Sequence, residues 1–138
     1  MKDKKELQEK YMEYQMLVQQ FQQLQQNIST LQKHVNDLNE LKENLSNLTK
    51  ININDETLMP VGSGIFLRGQ LKDNRKAIMN VGANVCVEKN MEDISSTIDK
   101  QTEEVSGLLF HMQTQAEAAA ERLTELQKEL KELKEDSE

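Results

Sequence analysis

Two heptad-patterned stretches of nearly equal length flank a short block that reads as strands, and this symmetry limits the available folds more than any single residue does. Leu17, Phe21, Leu24, Ile28, Leu31, Val35 and Leu38 recur at alternating steps of four and three, which lays one apolar stripe along a long helix. The rhythm returns from Met91 through Ile94, Ile98, Val105, Leu108 and Met112, then through Ala119, Leu123, Leu126, Leu130 and Leu133. A chain with two such arms and strands between them folds back on itself most simply. The arms then pair antiparallel and both termini meet at one free tip.

Each arm carries an expected irregularity. In the first, the stripe begins at Leu7, Tyr11 and Tyr14, and after Leu38 it steps to Leu41, Leu45 and Leu48, a three-plus-three advance that predicts local overwinding. In the second, the steps from Leu108 to Met112, Ala116 and Ala119 predict the opposite slip. If the arms meet near residues 50 and 92, facing positions sum to about 142 and the tip lies roughly 65–70 Å from the root. Leu7, Tyr11 and Tyr14 then lie beside Leu126, Leu130 and Leu133 at an end where helices fray. By their spacing these six read as an ordinary coiled-coil seam continuing to the end, and, where the tip opens, as candidate contacts for apolar surface on a non-native chain. Met12 and Met16 lie off the stripe near the same end, and methionine adapts to irregular apolar partners. The same pairing sets Ala116, Ala118, Ala119 and Ala120 opposite residues 22–26, a waist of small side chains.

Spending about two-thirds of 138 residues on a coiled coil leaves little for a globular core, so no enclosed substrate pocket is expected. No phosphate loop, CxxC pair or HExxH occurs, and Cys86 has no histidine beside it in sequence. His34 and His111 together make an incomplete metal site. Catalytic, metal and cofactor sites are therefore not expected, and the chain reads as non-enzymatic. A lone cysteine forms no internal disulfide, no apolar run approaches the roughly 20 residues that cross a bilayer, and the start MKDKKE lacks a signal peptide's apolar core. The expectation is a cytoplasmic protein without a membrane partner. Residues 1–52 carry seven basic and seven acidic groups, residues 53–90 five and four, and residues 91–138 five and thirteen. An acidic second arm without a basic stripe argues against nucleic acid.

Between the arms, Asn52, Asn54 and Asp55 end the helical pattern. Strands are predicted at 57–60, 65–71, 77–81 and 85–88, with turns at 61–64, 73–75 and 82–84. The division is 1–52 first arm, 53–89 double hairpin and 90–138 second arm, an α+β chain with two β-hairpins at the root of a two-helix coiled coil. Ile65 and Leu67 oppose Phe66 across their strand, and Ile78 opposes Met79, so both faces are apolar. With Val81, Val85 and Val87 they form a candidate assembly surface, its second face covered by other subunits.

The segment TLMPVGSGIFLRGQLKDNRKAIMNVGANVCVEKN, set between two coiled-coil arms, closely resembles the strand block of prefoldin alpha-class subunits. Its most specific pieces are Leu58-Met59-Pro60-Val61-Gly62 and Val81-Gly82-Ala83-Asn84-Val85. The resemblance implies a heterohexamer of two alpha-class and four beta-class subunits, whose hairpins join into a β-barrel platform. It also implies arm tips that hold unfolded proteins without nucleotide and pass them to a group II-type chaperonin. The alternative that the residues leave open is an architectural coiled coil that spaces or tethers fixed partners.

Overall fold

Long runs of Gln, Glu, Leu and Lys favour helix because such side chains lose little rotamer freedom there, and a heptad stripe gives each helix something to bury. In the computed structural model, which describes residues 2–136, the order is α1 (Lys2–Thr49), β1 (Glu56–Gly62), β2 (Ile65–Gln70), β3 (Lys76–Gly82), β4 (Val85–Asn90) and α2 (Met91–Asp136). No described helix is long and apolar enough to cross a membrane. Two compact units emerge, and each arm contributes to both. One comprises the chain up to Val35 with the chain from Glu104 onward, and the other is Asn36–Glu103.

Within each unit the seam follows a heptad, but not everywhere the one that the leucines suggest. Along α1 the sheltered heptad positions are Leu7, Lys10, Tyr14, Leu17, Phe21, Leu24, Ile28, Leu31, Val35, Leu38, Leu45 and Leu48, one continuous phase in which only the slot of Lys42 is exposed. Tyr11 and Leu41 stand exposed one position away from it. The expected overwinding after Leu38 is absent. The heptad slot there belongs to Lys42, whose ammonium pairs with Asp99, while Lys10 fills the slot beside Tyr11 and pairs with Glu129 at 3.1 Å. A lysine stem can lie along an apolar seam while its charged head reaches a carboxylate in water, so lysine competes with leucine for such slots.

In α2, Leu109 is buried and Leu108 exposed, which corrects the expected stripe by one residue. Counted through Leu109, the steps to Met112, Ala116 and Ala119 are regular, and the expected slip near Ala116 vanishes. The irregular step lies instead at Ile94, Ile98 and Thr102, two successive advances of four. Thr102 closes on its own helix, its hydroxyl donating to the Ile98 carbonyl at 2.8 Å. The buried side chains are Leu109, Ala116, Ala119 and Leu126 in one unit, and Leu38, Met91, Ile94 and Ile98 in the other.

The helix ends at the root are capped by side chains. The Asn74 amide donates to the carbonyls of Thr49 and Ile51 at 3.4 and 3.0 Å, satisfying groups that the end of α1 leaves open. Asn90 Oδ1 accepts from the Asp93 amide at 2.8 Å, and Glu92 and Asp93 place negative charge in the first turn of α2. Between these caps, β1 pairs antiparallel with β2 and β3 with β4, as two separate two-stranded sheets; no barrel closes among the described residues.

The two hairpins are built on one plan, offset by about 20 residues. Each has a two-residue turn with positive φ at both positions, Ser63 and Gly64 in one and Ala83 and Asn84 in the other, the geometry that matches strand twist. In each the register shifts one residue before the turn, leaving Val61 and Val81 without a partner in the ladder. Gly62 and Gly82 follow, at φ of 136° and 117°, where a β-carbon is strained. The expected turn at 61–64 is thus shorter, because β1 extends through the bulge to Gly62.

Candidate functional site

The hairpins present apolar side chains that this chain leaves uncovered. Leu58, Met59, Val61, Ile65, Phe66, Leu67, Ile78, Val81, Val85 and Val87 are all exposed, with Ile78 at 76%. Of the eight expected assembly residues, only Met79 is partly sheltered. Consecutive residues of a strand point to opposite faces, so the exposed run Ile65, Phe66, Leu67 puts apolar groups on both faces of β2. Every strand also has one unpaired edge. Covering such a side chain gains on the order of 1 kcal/mol at half exposure, so ten exposed apolar groups on two short hairpins leave a gain that association can realise. The Met59 side chain lies over Gly69, where a β-carbon would clash with its terminal methyl. That glycine lets the Met59 side chain settle on the sheet, a feature that sequence reading missed.

The terminal unit presents a different chemistry on each side. On one side, Arg122 donates to both carboxylate oxygens of Glu13, from Nε at 3.1 Å and from Nη2 at 3.3 Å, and from Nη1 to Glu125 at 3.1 Å. Lys10 bridges Glu129 and Glu6. Hydrogen bonding to Glu129 is the main reason that the Lys10 ammonium is held above the usual lysine range, and hydrogen bonding to Glu13 does the same for Arg122. These groups close the two helices over the seam.

On the other side Leu7, Gln8, Tyr11, Met12, Leu130, Lys131 and Lys134 line a groove. The structure therefore brings together three of the six expected tip residues, Leu7, Tyr11 and Leu130. Leu126 is fully buried, with 0% exposure, and belongs to the seam. Tyr14 and Leu133 are half-buried, and the Tyr14 hydroxyl accepts from Gln127 Nε2 at 3.0 Å. Tyr11 and Met12 are the open apolar groups of the groove, at 53% and 63% exposure. Met12 was legible as an off-stripe methionine. Lys131 and Lys134 were not, because a lysine in a glutamate-rich helix looks like any solvated charge.

His111 shares a hydrogen bond with Gln115 on its own helix at 3.2 Å, and His34 is exposed. Among the described residues no group of three or more His, Cys, Asp or Glu is placed to hold a metal ion.

Comparison with known proteins gives a consistent set of relatives. A family model described as "Prefoldin subunit" matches residues 17–136. Prefoldin subunit alpha 1 of Methanocaldococcus jannaschii is 31% identical over 91 residues, covering 66% of this chain and 63% of that protein. The chain thus aligns with somewhat less than two-thirds of that relative's length. Prefoldin subunit alpha 1 of Thermococcus kodakarensis is 31% identical over 102 residues, 74% of this chain and 70% of the relative. Prefoldin subunit alpha of Pyrococcus horikoshii is 32% identical over 101 residues, 72% and 68% respectively. A chain from the filamentous PFD of Methanocaldococcus jannaschii shares the fold with a TM-score of 0.71 at 18% identity, over 83% of this chain and 95% of that one.

Proposed function

The chain belongs to the prefoldin subunit family, in its alpha class, and on that footing we propose that it is an ATP-independent holdase subunit. It captures unfolded proteins at the ends of its arms and delivers them to a group II-type chaperonin in the cytoplasm. Its hairpins join those of beta-class subunits, two alpha-class with four beta-class chains, into a β-barrel platform. The division of labour follows the segments 1–52, 53–89 and 90–138, arms for capture and hairpins for assembly. The single observation that carries capture is the terminal groove, which keeps Tyr11 and Met12 exposed beside Leu7 and Leu130. A structural tether has no need of open apolar groups at its end.

The test has two parts. Native mass spectrometry of the chain with a beta-class partner is expected to give a hexamer of two to four, while Phe66→Asp or Ile78→Asp leaves helical arms but abolishes it, since a charge on a covered apolar face has no partner. A wild-type chain that stays monomeric with that partner refutes the platform. The intact assembly is then expected to suppress aggregation of several unrelated denatured proteins without nucleotide. Suppression of none of them would favour a tether of fixed partners. Replacing His34 and His111 together by Gln, or adding a chelator, is expected to leave suppression unchanged.

A further inference from the structure

The described methionines differ widely in how far their sulfurs meet solvent. Met91 is buried in the unit that carries the hairpins, and Met79 and Met112 are partly sheltered. Met59 is about half exposed, with its side chain over Gly69, on a hairpin that the proposed platform covers. Met12 and Met16 stand open, at 63% and 61% exposure. Gln8, Met12 and Met16 follow one another at steps of four along α1, so they share one helix face, and the first two line the terminal groove. Neither methionine holds the seam, whose slots here belong to Lys10, Tyr14 and Leu17. Chemistry at either sulfur therefore changes the surface offered at the groove without removing a contact between the helices.

We propose that Met12 and Met16 form a modification site at which a peroxide transfers one oxygen atom to each thioether and thereby weakens capture. The site rests on the capture reading above and adds a chemical control to it. A sulfur lone pair attacks one oxygen of hydrogen peroxide, and an S–O bond forms as the O–O bond breaks. The departing hydroxide takes the proton of the transferred hydroxyl and leaves as water. Sulfur loses two electrons, which the peroxide gains. The sulfoxide replaces a flexible apolar side-chain end by a polar group that water solvates well. At the groove this removes the adaptable contact of Met12 while Leu7 and Leu130 stay in place, so capture is reduced and not abolished. A dithiol reductant acting through methionine sulfoxide reductases restores the thioether, which makes the change reversible.

The test uses the chain assembled with its beta-class partner, treated briefly with hydrogen peroxide and then freed of it, so that no client or peptide meets the oxidant. Peptide mapping by mass spectrometry is expected to find Met12 and Met16 converted before Met79, Met91 and Met112, with the helical circular dichroism unchanged. Anisotropy of a fluorescent peptide with a Leu-Phe core is expected to show binding about fivefold weaker, the loss of part of one methionine's apolar contact. Treatment with the two methionine sulfoxide reductases, one for each epimer, and dithiothreitol is expected to restore it. In a variant carrying Met12→Leu and Met16→Leu, the ratio of affinities before and after peroxide is expected to stay at one, whatever the starting affinity. Wild-type binding that survives full conversion of both residues, an equal loss in the Leu variant, or a loss of helix on oxidation overturns the proposal. Suppression of aggregation by the untreated wild-type assembly separates the two levels. If it suppresses and peroxide changes nothing, the modification site is wrong and capture stands; if it neither suppresses nor binds the peptide, both are wrong.

Discussion

Lys10 and Lys42 each occupy a heptad slot where a leucine would bury more surface, and each meets a carboxylate of the facing helix, Glu129 or Asp99. A charged residue at one such slot fixes register, because a helix shifted by a turn leaves it without its partner. Lys10 also gives the terminal unit an alkaline limit. Its folded pKa is raised above the unfolded value by Glu129, so its contribution is complete below the ordinary lysine range and is lost as pH climbs through the raised value. Lys10→Met keeps the stem but does not titrate. Melts followed by circular dichroism at pH 8 and pH 11 are expected to lose more stability in the wild type than in this variant; equal losses would mean that the pair holds nothing. At the start of α2, Asn90→Ala removes the acceptor for the Asp93 amide and is expected to cost about 1 kcal/mol, whereas Asn90→Ser costs much less.

Two hairpins on one plan carry their own test in their glycines. Gly82 has open space around its missing β-carbon but a φ of 117°, so the penalty for Gly82→Ala comes from the backbone alone, about 1–3 kcal/mol. Gly107 also has open space but sits within helical α2, where Gly107→Ala is expected to stabilise by about 0.5–1 kcal/mol. Opposite signs in thermal melts check both, and a harmless Gly82→Ala would mean that the bulge is not rigid. The elements themselves were readable in the sequence: both helices and all four strands fall within a few residues of expectation, because heptads and turn residues are local signals. The seam was less so at Tyr11, Leu41 and Leu108, where an apolar residue lies one position off a slot held by Lys10, Lys42 or Leu109. Apolarity alone cannot tell which neighbour faces inward. The shared plan of the hairpins was hidden because it resides in φ angles and register, with only scattered identities such as Met59 with Met79 and Val61 with Val81. Of the site, the apolar residues were legible and the one-sided placement of charge was not, since it depends on which helix faces meet.

Capture and assembly are assigned to residues of different compact units, so they are expected to fail independently. The hairpin residues all lie within Asn36–Glu103, whereas Leu7, Tyr11, Met12 and Leu130 lie in the other unit. Trimming residues 1–14 together with 126–138 removes the groove but leaves the seam from Leu17 to Val35 and from Val105 to Leu123, along with every exposed apolar residue of the hairpins. The trimmed chain is therefore expected to form the same hexamer by native mass spectrometry. Its suppression of aggregation is expected to fall, but only in part, because in the proposed function several arm ends would hold one client and modest contacts combine through effective concentration. Beta-class subunits trimmed likewise should bring the loss close to completion. A doubly trimmed hexamer that protects clients as well as the intact one would move capture to the sides of the arms or to the platform. There, exposed Phe110 and Leu108 on α2 would be the first residues to substitute.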